Sequence, residues 1–200
     1  MRICNLEKTV GNFHLKIEDL YIEPGKIHGI LGHNGSGKTV LLKLIMGILK
    51  PDAGSIDYEG LKQQDMTMMT QRPYLLQTSV YENLVYPLKL RGIKPDETSM
   101  DRLLERVGLL PHKKQYARSL SSGERQKLSF LRALVFEPKL IIIDETLSNL
   151  DPESEELFEQ MIQEIQKTKP ITWLIVNHQI DHTYELCDQI HRMEKGRMLI

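Results

Sequence analysis

Cysteine is nearly missing from this chain. Cys4 and Cys187 are the only two, and their spacing suggests neither a disulfide framework nor a zinc site, which fits a reducing compartment. Neither sign of charge dominates: 26 Lys and Arg against 27 Asp and Glu leave a net charge of −1. There is therefore no electrostatic case for a nucleic-acid partner, and none is expected. No apolar run approaches the roughly 18 residues of a membrane-spanning helix. The opening "MRICNLEKTVGNFH" lacks the apolar region of a secretion signal. Repeats and low-complexity segments are missing too. What remains is 200 residues, enough for one domain with a real core and perhaps a subdomain.

Against this plain background one stretch stands out, "GHNGSGKT" from Gly32 to Thr39. The spacing G-x-x-x-x-G-K-[ST] is that of a phosphate cradle. Glycines allow a tight curl whose N–H groups point inward at an anion. Lys38 would reach the outer phosphates and the Thr39 hydroxyl would sit on Mg²⁺. "KIHGIL" before the loop reads as a buried strand and "TVLLKLIMGIL" after it as a helix. The cradle thus lies at a helix N-terminus, where free N–H groups favour phosphate. The alternative, a glycine-rich turn that binds nothing, does not explain a strand and a helix on either side. Gly32, His33, Asn34, Gly35, Ser36, Gly37, Lys38 and Thr39 are the expected nucleotide-binding residues, with no chemistry assigned to the His33 ring.

Along the chain, "FHLKIEDLYI" alternates like a half-buried strand, and "SIDYEG" and "MTMMTQ" read as short strands. From Arg72 to Ser119 apolar residues recur at helical spacing, which marks a helical insertion. "SSGERQKLSFLRALVF" predicts a further helix with Ser122 as N-cap and Pro138 after its end. "KLIIIDE" and "ITWLIV" are continuous apolar runs, as in strands buried on both faces of a parallel sheet. Between them "DPESEELFEQMIQEIQK" is an amphipathic helix with Leu157, Phe158, Met161, Ile162 and Ile165 on its apolar stripe. "DQIHRMEKGRMLI" predicts a hairpin about Lys195-Gly196. Strands alternating with helices around a phosphate loop imply an α/β fold of the P-loop NTPase type: a mainly parallel core sheet, an N-terminal antiparallel β part and a helical insertion. Residues 1–71 and 120–200 would form the core and 72–119 the helical part of one domain.

Phosphoryl transfer also needs a metal and an oriented water. Asp144 ends a buried strand, where α/β sheets place their ligands, and would hold Mg²⁺. Glu145 follows and would act as general base on the water; two solvated carboxylates opening a loop are the alternative. His178 ends "WLIVNH", placed either to contact the γ-phosphate or to cap the strand. His182 stands four residues on, but no third ligand is near enough to suggest zinc.

These residues resemble, in order and over nearly the whole chain, the nucleotide-binding domain of an ATP-binding cassette (ABC) transporter. "GHNGSGKT" matches Walker A, Gln71 in "TQRP" the Q-loop glutamine, "LSSGERQ" (Leu120 to Gln126) the signature, "LIIIDE" Walker B with its catalytic glutamate, "SNLD" (Ser148 to Asp151) the D-loop, and His178 the switch histidine. The resemblance implies ATP and Mg²⁺ as ligands, with Thr39, Gln71 and Asp144 toward the metal. It makes Glu145, His178 and Gln71 the catalytic set. It implies a head-to-tail dimer, homo- or heteromeric, in which Ser121 and Gly123 of one subunit hold the γ-phosphate bound to the other.

The resemblance further implies separate integral membrane permease subunits and a position in the cytoplasm, peripheral on the inner face of the cell membrane. Tyr74, Leu75, Tyr81 and Tyr86 are the expected permease groove. Three departures stand out: Ser122 replaces the first signature glycine, Thr146-Leu147 replaces Pro-Thr, and no aromatic occupies the usual adenine-stacking place. Val10 falls nearest that place, with Phe13 three residues later.

Two other functions are set against the transporter reading. A soluble ABC machine on ribosomes or DNA would carry tandem cassettes or a long coiled coil. This chain has one cassette and only about 80 residues between Lys38 and Ser121, and it ends soon after His178 with no regulatory domain expected. A different P-loop enzyme, such as a kinase, would put an acceptor site where "LSSGERQ" stands. Cargo and direction of transport are not legible.

Overall fold

The computed structural model describes residues 1–144, 151–177 and 186–199. Its elements form two sheets with helices between and beside them. Strands β1 (Arg2–Val10), β2 (Phe13–Tyr21) and β4 (Ala53–Asp57) form an antiparallel sheet ordered β2-β1-β4. The second sheet contains β3 (Ile27–Leu31), β5 (Met66–Met69), β6 (Leu140–Asp144), β7 (Thr172–Asn177), β8 (Gln189–Glu194) and β9 (Arg197–Leu199). Its order is β5-β6-β7-β3-β8-β9, parallel except for the terminal β8–β9 hairpin, which turns at Lys195 and Gly196 as the sequence predicts.

Alternate residues of the central strands supply two cores, which is why these strands read as unbroken apolar runs. Ile30, Ile142, Leu174 and Val176 pack toward α1 (Lys38–Ile45) and the antiparallel sheet, whose Leu6, Leu15 and Ile17 meet Leu41 and Leu42. Ile141, Ile143, Trp173 and Ile175 face the other way, into a core shared with α2 (Val80–Leu90), α3 (Glu97–Arg106), α4 (Ser122–Leu134) and α5 (Pro152–Thr168). Phe130 of α4 and Phe158 of α5, both fully buried, stack there with ring centroids 4.2 Å apart. The apolar stripe expected on α5 lies on this core, Phe158, Met161 and Ile162 buried and Leu157 and Ile165 partly so.

The strand expected at "SIDYEG" runs Ala53–Asp57 and α4 ends at Leu134, and two further boundaries differ from the sequence reading for a visible reason. Helix α1 stops at Ile45 rather than running to Leu49, because Ile48 and Leu49 both donate back to the Lys43 carbonyl and the chain turns at Gly47. The N-cap of α4 is Ser121, not Ser122. A reciprocal capping box fixes it: the Ser121 hydroxyl accepts from the Glu124 N–H, and the Glu124 carboxylate accepts from the Ser121 N–H. The box counts three residues from cap to acid, so only Ser121 fits.

Candidate functional site

The glycine loop joins the end of β3 to α1, at the carboxyl edge of the parallel sheet. Two glycines in it are required, Gly32 by the close approach of backbone and Gly37 by its left-handed φ. A β-carbon on Gly32 would come within 2.3 Å of the Met193 carbonyl. Gly37 has φ 105°, and a β-carbon there would sit 2.5 Å from Cζ of Phe13. The loop is braced from behind, where the Gly196 N–H of the β8–β9 turn donates to the Ser36 carbonyl at 2.8 Å. Lys38 is buried, and its ammonium donates to the Gly32 and His33 carbonyls at 2.6 and 3.2 Å. It therefore lies across the loop mouth.

Asp144 ends β6, two strands from β3, and is 9% exposed. The Thr39 hydroxyl at the start of α1 donates to its Oδ2 at 3.3 Å. The sheet thereby brings together a hydroxyl and a carboxylate 105 residues apart, the oxygen donor set that Mg²⁺ prefers. The loop fits a phosphate chain by two further observations. The Ser36 Oγ is buried with no hydrogen-bond partner among the described residues, and nothing lies within 4 Å of a β-carbon built on Gly35. His33, Asn34 and Gly35 form the exposed rim. Beside this rim a cavity of about 430 Å³ opens, with Val10 and Phe13 on its wall.

The remaining expected site residues are distributed around this centre. Gln71 is exposed just beyond β5, and its carbonyl accepts from the Gln126 side chain at 2.7 Å. Ser121 and Ser122 are exposed at the start of α4. Gly123 faces Asp151, whose Oδ2 would be 3.7 Å from a β-carbon there. Asp151 caps α5 by accepting from the Ser154 N–H, which holds its carboxyl below the ordinary aspartate range. Glu124 is likewise held low, first by the Ser121 N–H, with His112 adding its share from 3.4 Å. Glu145, His178, His182 and the D-loop residues before Asp151 lie outside the described residues.

The groove reading needs correction. Tyr74 and Tyr86 do face solvent, 76% and 36% exposed, but Leu75 is buried in the α2–α4 core and Tyr81 packs on it beneath the Lys113 ammonium. Helix α2 turns its Val80, Leu84 and Leu88 side inward; Leu75, just before the helix, follows that side. The groove is completed by Leu90, Arg91, Arg132 and Phe136, none of which the sequence reading singled out. The sequence names Gln126 only as the end of the signature; its tie from the signature helix to the Gln71 backbone is added by the structure. A polar residue on the buried face of an otherwise amphipathic helix was the available signal.

A strand–loop–helix cradle with its lysine and hydroxyl, faced by an aspartate from the same parallel sheet two strands away, defines a P-loop nucleoside triphosphatase. The sequence model of the ABC transporter family matches residues 15–148, and the chain belongs to that family. The tungstate uptake system ATP-binding protein TupC of Peptoclostridium acidaminophilum is 38% identical, covering 98% of this chain and 95% of that protein. The methionine import ATP-binding protein MetN 1 of Listeria monocytogenes serotype 4b is 32% identical over 92% of this chain; the chain spans 59% of that relative's length.

Among solved structures, cbiO1 from Clostridium perfringens, part of the ABC transporter complex cbiONQ, superposes with a TM-score of 0.82 at 28% identity, over 100% of this chain and 86% of that one. A structure described as the ATP binding subunit of an ABC transporter shares the fold, with a TM-score of 0.89 at 23% identity over 98% of this chain and 87% of that one. The chain is an ATP-binding subunit of an ABC transporter and an ATPase. These relatives give no support to a ribosome- or DNA-acting machine. No helix among the described residues is long and apolar enough to cross a membrane.

Proposed function

We propose that this chain binds Mg-ATP in the Gly32–Thr39 loop and uses its hydrolysis to drive a separate membrane permease. The observation that carries the reading is the contact of Thr39 with Asp144 at the foot of the glycine loop. Thr39 and Asp144 would hold Mg²⁺, with Gln71 toward the same ion. When bound, the metal supplies charge neutralisation at the β- and γ-phosphates. The loop N–H groups and Lys38 bind and orient the phosphates. Glu145 takes the proton of the attacking water, and His178 holds the γ-phosphate position.

Ser121 and Gly123 serve the nucleotide of a second ABC ATPase domain, either another copy of this chain or a related one. The exposed start of α4 supports that use, since a helix N-terminus favours an anion. ATP then joins the two domains and hydrolysis separates them. The permease sits on the groove beside Tyr74 and Tyr86, which places the chain in the cytoplasm against the inner face of the membrane. The near full-length likeness to a tungstate-uptake ATPase supports import of a small oxyanion as the transport task, with the cargo itself chosen by the partner chains.

The test is affinity purification of the tagged chain from solubilised membranes of its own cells. A co-purifying integral membrane protein, whose presence raises ATP turnover, is the expected result. Recovery with ribosomes or DNA and no membrane protein would overturn the reading.

A further inference from the structure

The β8–β9 hairpin touches the phosphate loop at both of its ends. Met193 makes two of the contacts. Its carbonyl oxygen lies 2.3 Å from where a β-carbon on Gly32 would stand, and its Cε 3.0 Å from one on Gly37. At the hairpin tip Lys195 and Gly196 both have positive φ, 47° and 81°, as a two-residue turn between antiparallel strands requires. Both backbone groups of Gly196 bond outside the hairpin. Its N–H donates to the Ser36 carbonyl at 2.8 Å, and its carbonyl accepts from the Lys16 N–H of β2 at 2.7 Å. A β-carbon at 196 would lie 2.1 Å from the His14 carbonyl oxygen, so the turn is pressed against β2.

The Ser36 carbonyl is one end of a peptide plane whose other end is the Gly37 N–H. In a trans peptide the two point in opposite directions. Holding the carbonyl back toward Gly196 therefore holds the Gly37 N–H away from the hairpin. The Ser36 N–H is used within the loop, on the His33 carbonyl at 3.1 Å, whereas the Gly37 N–H donates to nothing among the described residues. Gly37 is left-handed and Lys38 opens α1, the alternation that turns successive N–H groups into one anion-binding concavity. The same plane is the loop's loosest point. Turning it over would take the Gly37 φ from 105° to about −75°, which glycine adopts as readily. Residue 37 alone does not keep its N–H toward an anion; the bond from Gly196 does.

We propose that Gly196 is a positioning residue for the nucleotide: its N–H locks the Ser36–Gly37 peptide plane with the Gly37 N–H turned to the phosphate chain, so that the loop meets its ligand already formed. This rests on the reading that Mg-ATP occupies the loop. Such preorganisation raises affinity by removing an ordering cost at the moment of binding. It gives the β8–β9 hairpin, which is no part of the loop, a share in holding phosphate. Through the Lys16 bond it also ties that share to β2, the strand that carries Phe13.

The experiment removes that one N–H and keeps the shape. A synthetic segment from Cys187 to Ile200, with glycolic acid in place of Gly196, is ligated at Cys187 to residues 1–186 to give the full chain with a single backbone ester. The ester oxygen cannot donate. Mg-ATP and magnesium tripolyphosphate, which has no base, are titrated into this chain and into an all-amide chain made the same way, with the melting transition as the check on folding. Both ligands should bind roughly tenfold or more weakly to the ester, the order of a hydrogen bond to a charged group, at a melting temperature close to that of the amide. Ester affinities equal to the amide's, or a loss confined to Mg-ATP with tripolyphosphate unchanged, overturn the proposal and leave the Mg-ATP reading standing. A folded all-amide chain that binds neither ligand overturns both. If the ester chain does not fold, the Gly37 amide resonance decides. It should move downfield when Mg-ADP is added to the wild type, and Gly196→Ala, whose methyl would collide with the His14 carbonyl and displace the turn, should cancel most of that move. A resonance that moves as far in Gly196→Ala as in the wild type overturns the proposal.

Discussion

The Phe13 ring lies against Gly37 so closely that a β-carbon on that glycine would sit 2.5 Å from its Cζ. Phe13 begins β2, across the β1–β2 turn from Val10, to which it is paired, and both line the cavity beside the loop. This makes Phe13, rather than Val10, the surface on which a base can stack. Stacking on an aromatic contributes about 1–3 kcal/mol. Phe13→Ala should therefore weaken ATP binding by roughly 5- to 150-fold with little change in melting temperature, and GTP should lose as much, because every base offers a π-face. Titration of both nucleotides into wild type and variant checks this; an unchanged ATP affinity would remove Phe13 from the role.

Ser121 caps α4 while standing where the partner's nucleotide is proposed to approach. The two duties separate in mutants. Ser121→Ala should lower stability by about 1 kcal/mol, the usual cost of losing an N-cap, read from denaturant unfolding. Ser122→Gly, which restores the family's glycine and leaves the capping box alone, should keep that stability nearly unchanged and tighten ATP-dependent dimerisation. Dimerisation that is no tighter in Ser122→Gly would mean that the serine side chain does not obstruct the approach.

The parallel sheet carries a pH-sensitive pair. His28 of β3 is fully buried, with Nε2 3.0 Å from the Glu23 carbonyl and Nδ1 3.1 Å from His191 Nε2. The carbonyl can only accept, so Nε2 of His28 carries the proton and Nδ1 accepts from His191. Burial, first of all, lowers the pKa of both, and His191 falls to about 4. A histidine with a lowered folded pKa binds fewer protons folded than unfolded. Its contribution is fully present above the unfolded value near 6.5 and is lost as pH falls from there toward 4. Melting temperature should hold from about pH 8 to 7 and decline below about 6.5, and His191→Asn should flatten that decline. A wild-type melting temperature that rises on acidification through this window would contradict the pairing.

Local pattern made the loop, the buried strands and the α5 stripe legible, because each depends on neighbours within a few residues. Asp144 was legible for the same reason, as the first acid after an apolar run. What escaped were facts fixed by long-range packing. The His28–His191 pair joins residues 163 apart, and the Gln126–Gln71 tie joins residues 55 apart. Phe13 reaches Gly37 only because the β1–β2 turn folds over the loop. Leu75 and Tyr81 looked like groove residues because composition does not tell which side of the α2 region packs inward, and Arg91 and Arg132 became groove residues only once α2 and α4 were set side by side. The N-cap was missed by one position because two serines adjoin and only the geometry of Glu124 separates them.

The Gly32–Thr39 loop and the end of β6 are proposed to form one half of an ATP-driven dimer whose chemistry depends on the residue after Asp144. Glu145→Gln tests it most directly, since an amide cannot accept the water's proton while its shape is kept. Sedimentation of the purified variant with Mg-ATP, alongside its turnover, is the measurement. The expected result is ATP binding like wild type, turnover lower by about 100-fold or more, and a doubled mass that persists while ATP is present. Near-wild-type turnover in Glu145→Gln, with a monomeric mass in Mg-ATP, would contradict it.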